Sequence, residues 1–75
     1  MPQRPPILGR GVVRAVRQPD LLYEIEMPNG HLALAVVPKE GPRLPAGIEP
    51  IGIALLGAFS PFEMNRCRIV SWELS

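Results

Sequence analysis

Two side chains in this sequence have the chemistry of a nucleophile, a general base or a soft metal ligand, Cys67 and His31, and each residue type occurs once. One thiol cannot close a disulfide within the chain. One cysteine and one histidine fall short of the four ligands a structural zinc site takes. No nucleophile is paired with a base and no two carboxylates are set out for acid–base work. The glycines of Gly9-Arg10-Gly11 and Gly52-Ile53 do not open a helix, so no phosphate-cradling loop is expected. The chain therefore reads as a non-enzyme without metal or cofactor. Cys67 reads as a small core residue, and His31, beside a turn, as a solvent-facing or capping one.

What remains is binding chemistry. Arginines recur at 10, 14 and 17, where strict alternation puts Arg10 and Arg14 on one face and Arg17 on the other. Arg66 and Arg68 share a second face, and Lys39 and Arg43 lie between the two groups. Guanidinium groups grip phosphate, and aromatic rings stack on bases. Phe62 in a loop is placed for stacking or docking. Trp72 is either a lid on the core or a stacking platform. Eight basic and seven acidic residues leave a formal charge of +1. A dedicated nucleic-acid binder is usually more basic, so the overall balance lends RNA binding no help.

These residues must be positioned by a small fold. A chain of 75 residues makes one domain, with a core that buries about 60% of the unfolded surface. Ten prolines and seven glycines break it into short β-rich runs, with no internal repeat and no helical stripe. Residues 1–6 read as a flexible proline-rich tail and 7–75 as the domain. Residues 7–17 form strand one, which bends at Gly9 and Gly11. Residues 21–27 form strand two. Residues 38–50, rich in proline, are a long connection with little room for helix. Residues 51–59 read as strand four, 60–65 as a turn or loop, and 66–72 as strand five. The first residues lack the apolar run of a signal peptide, and residues 51–59 are too short to span a bilayer. A soluble, cytoplasmic protein with no membrane partner is expected.

Strands two and three define a register. A two-residue Asn-Gly turn would need an N–H from Pro28, which has none. A type I turn over Pro28 and Asn29, with Gly30 as a left-handed bulge, puts Met27 opposite His31. Ile25 then faces Ala33, Tyr23 faces Ala35 and Leu21 faces Val37 on the core side. Leu22, Glu24 and Glu26 face Val36, Leu34 and Leu32 on the outer side. A slip of one residue would bury both glutamates.

A long first strand, a tight second hairpin, a long third connection and two final strands describe an all-β, five-stranded Greek-key barrel of the OB type. The sequence also resembles bacterial translation initiation factor one and its S1-like relatives. The likeness runs over residues 11 to 70. It rests on Gly11-Val12-Val13, Tyr23-Glu24-Ile25-Glu26-Met27, Asn29-Gly30-His31, Ala35, Gly52, Ser60-Pro61-Phe62-Glu63 and Arg68-Ile69-Val70. It implies a module that binds RNA at the small ribosomal subunit without chemistry, through His31, Phe62, Arg66 and Arg68. The family's serine-glycine-lysine stretch is replaced by Val37-Pro38-Lys39-Glu40-Gly41-Pro42-Arg43, leaving Lys39 and Arg43 as further RNA candidates. Cys67 stands where the family has glycine.

The outer face of strands two and three is where OB barrels take oligonucleotides. In this register it carries Leu22, Leu32, Leu34 and Val36 with two acids. Either the C-terminal segment or the long connection covers it, or it is an interface for a second copy or another protein. Two functions follow: an RNA- or ribosome-associated OB module, or a protein-interaction barrel that has lost RNA affinity.

Overall fold

The computed structural model describes residues 5–74. Most of the segment assigned to the tail therefore lies outside the described residues. The five strands are β1 (Ile7–Gln18), β2 (Leu22–Glu26), β3 (Leu32–Val36), β4 (Ala54–Ser60) and β5 (Glu63–Glu73). They form a closed barrel in the order β1-β2-β3-β5-β4. Every neighbour pair is antiparallel except β3 and β5, which run parallel. This is the connectivity of an OB-type barrel. No helix occurs among the described residues.

The β2–β3 hairpin has the expected register, with Tyr23 opposite Ala35, Ile25 opposite Ala33 and Glu24 opposite Leu34. Its turn is closed by the Gly30 N–H donating to the Met27 carbonyl at 2.9 Å, with Gly30 at φ 86°. The Met27 N–H then donates to the His31 carbonyl at 2.8 Å. An L-residue at position 30 would carry the left-handed penalty that glycine escapes.

The inward residues of that hairpin join Val13, Leu55, Phe59, Cys67 and Ile69 in one core. Leu21 departs from expectation. It is 49% exposed, because a turn in which its N–H bonds to the Gln18 carbonyl carries it off the strand. The pairing still extends that far, since the Val37 N–H donates to the Leu21 carbonyl at 2.9 Å.

β1 serves two neighbours. Its first half pairs with β4 and its second half with β2, the change falling at Val12 next to Gly11. Two irregularities, between Val13 and Ala15 and between Val16 and Gln18, insert extra residues opposite β2. β4 begins at Ala54, later than expected. The Ile53 N–H closes a turn onto the Pro50 carbonyl, so residues 51–53 are not strand. β5 begins earlier, at Glu63, because Ser60 pairs with Glu63 and the turn is only Pro61-Phe62.

Between β3 and β4 the chain makes turns closed at Pro38–Gly41, Pro45–Ile48 and Pro50–Ile53. This connection lies at one end of the barrel. The Trp72 indole Nε1–H donates to the Pro42 carbonyl at 3.0 Å, and its ring meets Tyr23 edge-on with centroids 5.4 Å apart. Trp72 packs against the core, so it acts as a lid on that end.

Candidate nucleic-acid interface

Across the outer surface the strands present three bands. β1 and β2 carry charges of opposite sign, β3 carries aliphatic groups, and β5 carries arginines. Leu34 sits beside Arg66 and Val36 beside Arg68 in the parallel β3–β5 ladder. Alternation puts Leu22, Leu32, Leu34 and Val36 outward, as expected. Leu32 is 52% exposed and the other three are half-buried. A shallow depression of about 310 Å³ opens on this face between Arg17, Glu24, Leu32, Leu34 and Asn65. The face therefore stays open to solvent, with the long connection bound to the barrel end by Trp72.

Arg66 and Arg68 stand on exposed positions of β5 on either side of buried Cys67. Among the described residues neither enters an ion pair, whereas Arg10, Arg14 and Arg17 each do. Two unpaired guanidinium groups, spaced by two residues on a rigid strand, form a directed donor row for phosphate oxygens.

Phe62 is at the tip of the β4–β5 hairpin with 84% exposure. Its N–H donates to Ser60 Oγ at 3.2 Å, which tightens the two-residue turn. His31 is nearby. Its Nε2 lies 3.1 Å from the Met64 carbonyl and its backbone N–H donates to Asn29 Oδ1 at 3.0 Å. It thus ties the β2–β3 turn to the start of β5. Together with Met27, Pro28, Phe59 and Met64 it borders an apolar mouth of about 240 Å³ at this end of the barrel.

His31 and Phe62 therefore flank one end of β5, and Arg66 and Arg68 follow along its outer face. Lys39 and Arg43 lie on the connection at the opposite end, where Arg43 borders a cavity of about 280 Å³ with Asp20, Tyr23 and Leu44. The candidates do not form one cluster.

One expectation about the arginines changes. Arg17 is on the same outer side as Arg14, because the irregularities in β1 interrupt strict alternation. Arg14 Nε donates to Glu26 Oε1 at 2.6 Å, Arg17 bonds Glu24, and Arg10 Nε donates to Glu73 Oε1 at 2.6 Å. They are paired charges on a closed barrel. The β1 and β5 groups are also separate, with β4 between them on one side and β2 and β3 on the other.

Cys67 is buried, and desolvation pushes its thiol from the ordinary 9.0 up to about 11. It remains protonated at neutral pH, and a thiol without its thiolate is a poor nucleophile and ligand. Among the described residues no cluster of three or more His, Cys, Asp or Glu side chains is arranged to hold a metal ion. Among the described residues no helix is long and apolar enough to cross a membrane. No known family model matches the chain, and no curated protein matches it.

Proposed function

We propose that this chain is a non-enzymatic binding barrel that takes RNA along the outer face of β5 and β3, with the cytoplasmic small ribosomal subunit as its setting. The observation that carries the reading is the pair Arg66 and Arg68. Both are outward and free of ion pairs among the described residues, and they follow the exposed ring of Phe62 along one strand. Phosphates meet the two guanidinium groups, while a base stacks on Phe62 beside His31. The glutamates of β2 do not oppose this, because Arg14 and Arg17 neutralise them. The resemblance to translation initiation factor one points the same way, since Ser60-Pro61-Phe62-Glu63 and Arg68-Ile69 carry both the likeness and the candidate contacts.

The test is fluorescence anisotropy with a labelled fragment of small-subunit ribosomal RNA, titrated at about 50 and about 200 mM salt. Each phosphate contact contributes about 0.7 to the salt slope on single strands. Arg66→Ala with Arg68→Ala should flatten that slope by about 1.4. Binding that ignores salt, or that is unchanged in the double variant, overturns the reading.

A second reading has its own observation. Leu32, Leu34, Val36 and Leu22 form an outward aliphatic band, which suits a protein interface or a second copy. On that reading Leu34→Glu abolishes self-association or capture of a protein partner while the barrel stays folded. A strictly monomeric chain in which Leu34→Glu weakens RNA binding, by setting a carboxylate beside Arg66, removes it.

A further inference from the structure

We infer that Glu24, Glu26 and Glu73 restrict RNA to the β3–β5 face by occupying the arginines of β1. The inference rests on the RNA reading above and adds the determinant of which side of the barrel is used. Three arginines line the outside of β1, against two on β5. A phosphate chain should prefer the side with more cations. A groove of about 420 Å³ is already present there, bordered by Arg10 and Arg14 and passing over Gly11, Val12 and Ala54. What sets this side apart is its acids. Glu26 lies opposite Val12 and Glu24 opposite Ala15 in the β1–β2 ladder, and Glu73 lies opposite Ala54 in β4. Each sends one carboxylate oxygen to one guanidinium, Glu26 to Arg14, Glu24 to Arg17 and Glu73 to Arg10.

These pairs span different strands, so the backbone ladders hold the partners together. RNA approaching β1 exchanges one charge-assisted bond for another and leaves a carboxylate beside its own phosphate. It gains little there. On β5 the same phosphate meets Arg66 and Arg68, neither of which is ion-paired among the described residues. The arginines of the chain are therefore unevenly neutralised: those of β1 are held by acids, and Arg66 and Arg68 are not held by any acid among the described residues.

The experiment replaces Glu24, Glu26 and Glu73 by Gln in the full chain. Glutamine keeps the side-chain length and an oxygen acceptor for each arginine. Circular dichroism checks the fold, and anisotropy with the same ribosomal RNA fragment reads binding. The expected result is affinity higher by about tenfold and a salt slope steeper by about 0.7 for each arginine released. Adding Arg14→Ala and Arg17→Ala to the triple variant should reverse most of the gain. If the triple variant loses structure, Glu24→Gln and Glu26→Gln are measured singly, each with a few-fold gain expected. Unchanged affinity and slope in folded variants overturn the inference. If the unsubstituted chain fails to bind RNA, the functional reading fails by itself. A triple variant that then binds still upholds the restricting role of the acids, and one that stays inert overturns it too.

Discussion

Replacing Gly57 by Ala tests how tightly β4 is packed over β5. Gly57 is buried opposite Ile69. A Cβ built there would stand 2.6 Å from Cys67 Sγ and 3.1 Å from Cys67 Cβ. Atoms of this kind settle about 3.5–4.0 Å apart, so the methyl intrudes by roughly 1 Å on the sulfur. Overpacking of this size costs about 1–3 kcal/mol. For a domain this small, each 1 kcal/mol lowers Tm by about 4–8 °C. Cys67→Ala removes the sulfur and costs about 1 kcal/mol by itself. In the double variant the new methyl takes the place the sulfur leaves. The two substitutions should then cost less together than their sum, by about 1 kcal/mol or more. Urea denaturation followed by Trp72 fluorescence measures all four corners of the cycle, with an unchanged m-value as the check that the unfolded state is the same. Additivity within about 0.5 kcal/mol would refute the packing argument.

Trp72→Phe keeps an aromatic ring near Tyr23 but deletes the donor to the Pro42 carbonyl. It should cost about 1 kcal/mol and make residues 38–50 markedly more sensitive to limited proteolysis. Gly30→Ala places a side chain at φ 86° and should cost about 1–2 kcal/mol, measured by urea titration. Burial raises the Cys67 thiol from 9.0 to about 11, so the folded chain keeps a proton that the unfolded chain releases. This contribution is full below pH 9.0 and is lost as pH rises toward about 11. Denaturation midpoints across that window should fall with pH, and the fall should be shallower in Cys67→Ala.

The β2–β3 register was legible because one residue decides it. Pro28 cannot donate, so the turn takes a bulge at Gly30 and the faces of Tyr23, Ile25, Ala33 and Ala35 follow. The outward placing of Leu22, Leu32, Leu34 and Val36 came from the same step. Strand ends were harder to read. Ile51 and Ile53 are apolar enough for a strand, but a turn closed on Pro50 ends it there, and only the Gly52 N–H and the Ile53 carbonyl still bond to the Val13 backbone. Glu63 and Asn65 are too polar to suggest a strand, yet with Met64 they belong to β5 because the preceding turn has two residues. Arg17 was assigned to the wrong face because counting by twos fails across a bulge. Its pairing with Glu24 depends on which residue β1 leaves unpaired, and no local pattern reports that. In the candidate site, Arg66 and Arg68 were legible as a pair. Their lack of ion pairs among the described residues depends on where the glutamates end.

The parallel β3–β5 ladder also governs how the molecule comes together in time. β1, β2 and β3 follow one another through short turns, so their pairing closes small loops and can form early. The ladder from Leu34 to Arg66 joins strands on either side of the proline-rich connection, and a loop of that length is closed late. The three-stranded meander that precedes it has two raw edges. One of them is β3 itself, whose outward leucines are then least protected. Barrel closure is thus the step that removes a sticky intermediate, and weakening the β3–β5 seam should slow refolding and promote aggregation before it visibly alters the native state.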